Sequence, residues 1–308
     1  MLFADLKTNL STQVKPAYFL FGADTYLINK AVELIIGAVK SKDVTKLDES
    51  ASSDEIVIAC RTVSFFGTKR VIISRGGQYD CAEITKYLLS PNSDCCLILV
   101  VETMPKLKNI EAVDCNPMTA ELTVKLIANQ INSFNKKITV EAAKLLTEFC
   151  GNNYARINNE VLKLVNFYNA KDVLSAEEIK AIASKTEEYQ VYELGNAVLR
   201  RETEKAERIL VNLTASGTDE YMIFASLVSL LRRVWYSLTT KAPAEDVAMV
   251  LKCNPYAVTA SRRDFKNFSA KIPDMYSKAL ELEYQIKSGR VMVSSATDLL
   301  MMVCCGQS

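Results

Sequence analysis

The 308-residue chain contains no histidine. This absence excludes serine–histidine and cysteine–histidine catalysis, and it excludes metal sites that use histidine ligands. Glycine and proline are scarce, at 10 and 7 residues, which argues against a loop-rich β protein or a disordered chain. No apolar run reaches the roughly 18 residues that a membrane-spanning helix needs. The formal net charge is +1, which excludes a globally basic nucleic-acid binder but not a local basic patch.

Cysteine is abundant, with nine residues, but none of them forms a CxxC pair and the count is odd. The sequence also shows no secretory signal, so we expect a reduced, cytoplasmic protein. The doublets Cys95-Cys96 and Cys304-Cys305 lie inside apolar runs. We interpret them as small core residues rather than as redox or metal sites.

The first third of the chain alternates short apolar strands with amphipathic helices. The pattern predicts strands over residues 16–21, 70–74 and 95–101. It predicts helices over 25–39 and 81–89, and a third that begins at the capping box Ser52–Glu55 and ends at Gly67. Such alternation is typical of a doubly wound parallel sheet, which we place in residues 1–137.

Beyond this α/β region only helical periodicity remains. Residues 138–186 predict three short helices, the last of which opens with a second capping box, Ser175–Glu178. Residues 187–308 predict a further all-helical domain. Hydrophobic residues make up 49% of the chain, enough to bury the separate cores that two or three domains require.

The turn after the first strand is where a P-loop would lie. A P-loop needs a second glycine before its lysine, so that backbone amides can wrap the phosphates. In this chain Leu27 takes the place of that glycine, and Asp24 adds negative charge. The strand that ends near Glu102 also lacks the acidic pair that would hold Mg²⁺. We therefore predict no nucleotide cofactor, no metal and no catalytic residue.

Two features remain for binding. Basic doublets stand at 200–201, 232–233 and 262–263; one alone is usually a solvated helix face, but three suggest a phosphate-contacting surface. Trp235 and Tyr236 could stack on bases, although core packing is the favoured interpretation. Phe65 and Phe66 are adjacent, and adjacent helical residues point about 100° apart, so one buried face cannot easily hold both rings.

Four segments resemble the bacterial DNA polymerase III delta subunit, the clamp-opening member of the sliding-clamp loader. The segments are YFLFGADTYLI (18–28), SFFGTKRVI (64–72), NNYARINNEVLKL (152–164) and IKSGR (286–290). They occur in the family's order over about 300 residues. The resemblance implies an AAA+-like α/β domain that lacks a P-loop, a three-helix lid and a helical collar for oligomerisation.

The resemblance also implies partners and site residues. It implies a hetero-pentamer with ATPase subunits and delta-prime, the β sliding clamp as target, and primer-template DNA within the complex. The chain would not hydrolyse ATP itself but would belong to the DNA polymerase III holoenzyme. The clamp contact carries over to Phe65 and Phe66 with Ser64 beside them, although one ring could instead pack inward. Lys287 and Ser288 would lie near DNA, and we group Arg232 and Arg233 with them; a helix C-cap ended by Gly289 is the simpler interpretation of that turn.

Two other classes of function stay open. One is an AAA+ ATPase with a degenerate nucleotide site, which saturable binding of an ATP analogue would indicate. The other is a helical DNA-binding adaptor without a clamp partner, which a steep salt dependence of DNA binding by the isolated chain would indicate. The near-neutral charge argues against the adaptor.

Overall fold

The computed structural model describes residues 1–64, 67–76, 81–101, 111–253, 255–268 and 271–306. The chain divides into two compact units, Met1–Ser184 and Lys185–Ser308. The division into three domains, 1–137, 138–186 and 187–308, stays a prediction.

The first unit opens with alternating helices and strands. In chain order these are α1 (Phe3–Thr12), β1 (Ala17–Phe21), α2 (Thr25–Val39), β2 (Asp43–Lys46), α3 (Ser53–Arg61), β3 (Arg70–Arg75), α4 (Cys81–Leu89), β4 (Cys95–Val101), β5 (Glu111–Asp114) and α5 (Ala120–Asn132). The strands form one parallel sheet in the order β2-β3-β4-β1-β5. The predicted doubly wound parallel sheet is confirmed.

Both faces of the sheet are covered, because strand side chains alternate between faces. Val71 and Ile73 of β3 belong to the core that α1 and α2 close, whereas Ile72 belongs to the core that α3 and α4 close. The central strand β4 is buried on both faces, and its cysteines pack as apolar residues: Cys95 and Cys96 are fully buried. Their predicted core role is confirmed.

The predicted span of α3 is wrong at its end. The helix stops at Arg61, and Thr62 adopts extended angles of φ −70° and ψ 133°. Val63, which the predicted helix would include, is 79% exposed.

The remainder of the first unit is mainly helical, and α5 packs against its first two helices. It comprises β6 (Lys137–Ile138), α6 (Val140–Phe149), α7 (Tyr154–Phe167), β7 (Val173–Leu174) and α8 (Ala176–Ile182). The strands β6 and β7 pair in parallel. Lys136 is 7% exposed, and its ammonium group donates to the carbonyl oxygens of Tyr168, Asn169 and Lys171 at 2.9, 2.7 and 2.5 Å. This buried lysine therefore satisfies the carbonyls that follow the end of α7.

The second unit is all-helical, as predicted. Its helices are α9 (Glu187–Leu199), α10 (Thr203–Ala215), α11 (Glu220–Thr239), α12 (Ala244–Leu251), α13 (Pro255–Asp264), α14 (Ile272–Lys287) and α15 (Val293–Cys305), with a short 3-10 turn at Lys266–Phe268. One core joins α9, α10, α11, α14 and α15, and Phe224 and Cys304 are fully buried in it. Among the described helices, none is long and apolar enough to cross a membrane.

Candidate functional site

The turn between β1 and α2 lies at the carboxyl edge of the sheet, where β1 separates β4 from β5. This is the position at which open α/β sheets bind ligands. Gly22 has a φ of 133°, and a Cβ atom there would lie 2.4 Å from the carbonyl carbon of Cys115 and 2.5 Å from the nitrogen of Asn116. The turn therefore needs glycine because the backbone that follows β5 presses against it.

The polar groups of this turn form hydrogen bonds within the chain. The amide of Ala23 donates to Oδ1 of Asn116 at 3.1 Å. The carboxylate of Asp24 accepts from the amides of Tyr26 and Leu27 at 2.9 and 3.1 Å. In a phosphate site such amides at a helix N-terminus face the ligand. Here they are capped by an aspartate, which favours a structural turn over a nucleotide site.

No metal site accompanies the turn in the described part of the chain. Among those residues, no group of three or more histidine, cysteine, aspartate and glutamate side chains could hold a metal ion.

The predicted clamp-binding residues lie between α3 and β3. Phe65 and Phe66 fall outside the described residues, so their contact role stays a prediction. The segment's start is described: Oγ of Ser64 donates to Oδ2 of Asp43 in β2 at 2.8 Å. Ile58 and Val63, which precede the two rings, are 65% and 79% exposed. Apolar side chains thus face solvent on the amino-terminal approach to Phe65.

The end of the same segment also meets β2. Arg70 stands opposite Asp43 in the parallel register of β2 and β3. Its Nε lies 3.6 Å from Oδ1 of Asp43, an ion pair rather than a hydrogen bond. Its Nη2 donates to Oγ1 of Thr45 at 3.0 Å. Asp43 was not singled out by sequence, since a lone aspartate in a four-residue polar strand carries no recognisable motif.

The predicted DNA-proximal turn lies at the end of α14. The amide of Gly289 donates to Ile286 and the amide of Arg290 donates to Gln285, both at 2.9 Å, and Gly289 has a φ of 70°. This is the Schellman arrangement of a helix C-terminus. Ser288 is its cap residue, with Oγ 3.2 Å from the Gln285 carbonyl oxygen. Lys287 is exposed and pairs with Glu283 at 2.6 Å.

Of the four predicted DNA-proximal residues, the structure brings Arg232 and Lys287 together. A hydrogen bond to Glu283 raises the pKa of Lys287, and the positive charge of Arg232 nearby lowers it. Arg232 donates through Nε to the hydroxyl of Tyr276 at 3.1 Å. Arg233 lines a different surface, a cavity of about 360 Å³ between α9 and α11. The doublet therefore does not act as one basic unit.

The doublet at 262–263 is divided in the same way, since Arg263 pairs with Asp264 at 2.7 Å. Arg262 donates to the carbonyl oxygens of Ser237, Thr240 and Ala242 at 2.9, 3.2 and 2.6 Å, so it closes the C-terminus of α11. Trp235 is half-buried against the core of the second unit. The favoured interpretation of Trp235 as a packing residue is confirmed, while its neighbour Tyr236 is 41% exposed.

Comparison with protein-family models gives two matches that follow one another along the chain. The model "DNA polymerase III, delta subunit" matches residues 18–114, and the model "DNA polymerase III delta subunit, C-terminal domain" matches residues 188–304. The two matched ranges together span more than half of the chain.

Individual relatives agree with these models. The chain is 21% identical over 325 residues to DNA polymerase III subunit delta of Bacillus subtilis, covering 94% of this chain and 93% of that protein. It is 22% identical to a probable DNA polymerase III subunit delta of Aquifex aeolicus, with 90% of each chain covered. The solved structure of the Bacillus subtilis DNA clamp loader delta protein superimposes with a TM-score of 0.64 at 18% identity, over 99% of this chain and 100% of that one. The two chains share a fold.

Proposed function

This chain belongs to the DNA polymerase III delta subunit family, and we propose from this premise that it binds the β sliding clamp and favours the opened ring during loading onto primed DNA. The observation that most supports the proposal is the match of the two delta-subunit models in order along one chain. Clamp opening then needs no chemistry in this subunit. A protein that binds the open ring more tightly than the closed ring shifts the population toward opening.

The proposal assigns ATP hydrolysis to neighbouring subunits. The turn that would hold phosphates has its amides capped by Asp24 and its backbone pressed against Cys115 and Asn116. ATP in the other subunits would control when the clamp-binding segment is accessible. The chain then acts in a hetero-pentamer with ATPase subunits and delta-prime, as a non-catalytic part of the DNA polymerase III holoenzyme.

We place the clamp contact on Phe65 and Phe66. The exposed Val63 and the early end of α3 support this assignment, because the chain leaves the helix four residues before the first ring and stays accessible there. Burying one such ring stabilises a complex by roughly 1.5–3 kcal/mol. Two adjacent rings in a pocket of the clamp would dominate a modest interface, as hot-spot residues do.

The test is to change Phe65 and Phe66 together to alanine and to measure binding to the β clamp of the same organism by surface plasmon resonance. Loss of two buried rings should weaken binding at least a hundredfold. The unfolding curve should not change, because neither ring is expected in the core. Phe167→Ala is the matched control, since that phenylalanine is 66% exposed on α7; it should bind the clamp as the wild type does.

Two results would contradict the proposal. Undiminished clamp binding by the double variant would remove the contact assignment. A requirement for ATP when the isolated wild-type chain binds the clamp would show that this chain uses a nucleotide itself.

A further inference from the structure

One carboxylate contacts both ends of the segment that carries the two phenylalanines. Asp43 accepts a hydrogen bond from Ser64 through Oδ2 at 2.8 Å. Its other oxygen, Oδ1, lies 3.6 Å from Nε of Arg70. Ser64 immediately precedes Phe65, and Arg70 is the first residue of β3. Asp43 therefore joins the residue that precedes the two phenylalanines to the first residue of β3.

The sheet dictates this arrangement. Asp43 and Arg70 are opposite residues in the parallel pair β2–β3, and opposite residues in a parallel pair project from the same face. Thr45, two residues along β2, projects from that face as well and accepts from Arg70 at 3.0 Å. Arg70 is thereby fixed on the face that α3 covers, the face to which the chain returns from Arg61 through Ser64.

The environment strengthens both contacts. The side chains of Asp43 and Arg70 are 15% and 18% exposed, so water screens them little. A hydrogen bond from a hydroxyl to a carboxylate is stronger than one between neutral groups. Without Arg70 this largely buried aspartate would carry an unpaired charge, which makes the paired arrangement the favoured one.

We propose that Asp43 is a positioning residue for clamp binding: it holds Ser64 and Arg70, the described residues on either side of the predicted contact, in place before the clamp arrives. This inference rests on the proposed function. Fixing residues during association lowers affinity, and residues that are already held avoid that loss. Ser64 then contributes as a tether to β2 rather than through its own contact with the clamp.

The test compares Ser64→Ala, Ser64→Thr and Asp43→Asn in the full chain. Removing the hydroxyl or the charge should weaken clamp binding roughly tenfold, the value of one hydrogen bond to a charged group. Ser64→Thr keeps a hydroxyl and should stay within about twofold of the wild type. Because Ser64 and Asp43 act through one contact, the double variant Ser64→Ala/Asp43→Asn should be no weaker than Asp43→Asn alone.

Asp48→Asn is the matched control. Asp48 also accepts from a serine hydroxyl, that of Ser50 at 2.6 Å, but this exposed pair follows the end of β2. It should bind the clamp normally. Wild-type affinity in Asp43→Asn, or full additivity of the two changes, would overturn the inference. If Asp43→Asn does not fold, Ser64→Ala against Ser64→Thr decides the question.

Hydrogen exchange in the free protein separates this inference from the proposed function. The backbone amides of residues 67–69 should exchange faster in Ser64→Ala and Asp43→Asn than in the wild type, because Asp43 then no longer joins Ser64 to Arg70. If the wild-type chain does not bind the clamp, the proposed function fails, while faster exchange would still establish the tether. Unchanged exchange in both variants would overturn the tether whatever the clamp result is.

Discussion

At the scale of single residues, Glu178 shows how a capping box and an ion pair combine. Its carboxylate accepts from the amide and the hydroxyl of Ser175 at 2.8 and 2.6 Å, and Lys171 donates to its other oxygen. The hydrogen bond from Lys171, followed by those from Ser175, lowers the pKa of Glu178 to about 2 from its ordinary value of 4.5. The charged form is therefore the one that the folded state favours.

This shift predicts a pH dependence of stability. A carboxyl group with a lowered pKa in the folded state stabilises the protein above its unfolded pKa, and this contribution is lost as the pH falls toward the folded value. The difference in melting temperature between the wild type and Glu178→Gln should be largest near neutral pH and should shrink between about pH 4.5 and 2. Thermal unfolding followed by circular dichroism measures it. A gap for Glu178→Gln that is constant with pH would contradict the assignment.

The sequence predicts the contacts of some residues but not those of others. The Ser175–Glu178 capping box was predictable, because both partners lie within four residues and the motif has a local mechanism. The roles of Asp43 and Lys136 were not predictable. Their partners lie 21 to 35 residues away, and only the fold brings them together. The residues that position the candidate site are thus the ones that local patterns miss.

At the scale of secondary-structure elements, the turn from β1 to α2 makes the sharpest prediction. Gly22→Ala would place a methyl group 2.4 Å from the backbone of Cys115 and would require a φ of 133° from alanine. Neither neighbour is a flexible side chain that could move aside. We expect a loss of roughly 2 kcal/mol or more in the free energy of unfolding, measured by urea denaturation.

The matched control for Gly22→Ala is Gly37→Ala. Gly37 sits inside α2, and a Cβ atom there would meet nothing within 4 Å. Gly37→Ala should therefore be neutral or should stabilise the protein by about 0.5–1 kcal/mol through helix propensity. If Gly22→Ala were as stable as Gly37→Ala, the close approach of the turn to β5 would not constrain the chain.

Helices were predicted better than strands, for physical reasons. The spans of α2 and α4 follow from apolar periodicity and from cap residues such as Asp24. The edge strands β2 and β5 were missed because each has four residues, and an edge strand in this sheet does not need to be apolar throughout. The end of α3 was misplaced because Val63 fits helical spacing, although no contact in the fold buries it.

At the scale of the whole molecule, the small net charge limits how this chain could bind DNA. A formal charge of +1 gives the isolated chain little long-range attraction to a polyanion. If the proposed loader brings this chain to DNA, contact must come from a few local cations. We predict Arg232 and Lys287 for this role, and they lie near enough on the second unit to interact electrostatically.

The last prediction concerns these two cations in the assembled loader. If both side chains contact phosphates, Arg232→Ala/Lys287→Ala should weaken binding to primed DNA. The magnitude of the slope of log affinity against log salt concentration should also fall, by about 0.9 for each of the two lost contacts. Fluorescence anisotropy of labelled primed DNA at several salt concentrations measures both quantities. Lys278→Ala is the matched control, because Lys278 is also paired with a glutamate on α14, Glu281 at 2.8 Å.

The ion pair between Lys287 and Glu283 should oppose DNA binding by Lys287. Its bond to Glu283 at 2.6 Å already satisfies one donor, so a DNA phosphate must compete with a carboxylate for this ammonium group. Glu283→Gln should therefore strengthen DNA binding if Lys287 contacts phosphate, since it removes that competitor and a negative charge together. If the salt slope of the double variant equals that of Lys278→Ala, the turn at Ser288 is a helix C-terminus and nothing more, and the DNA surface of this subunit lies elsewhere.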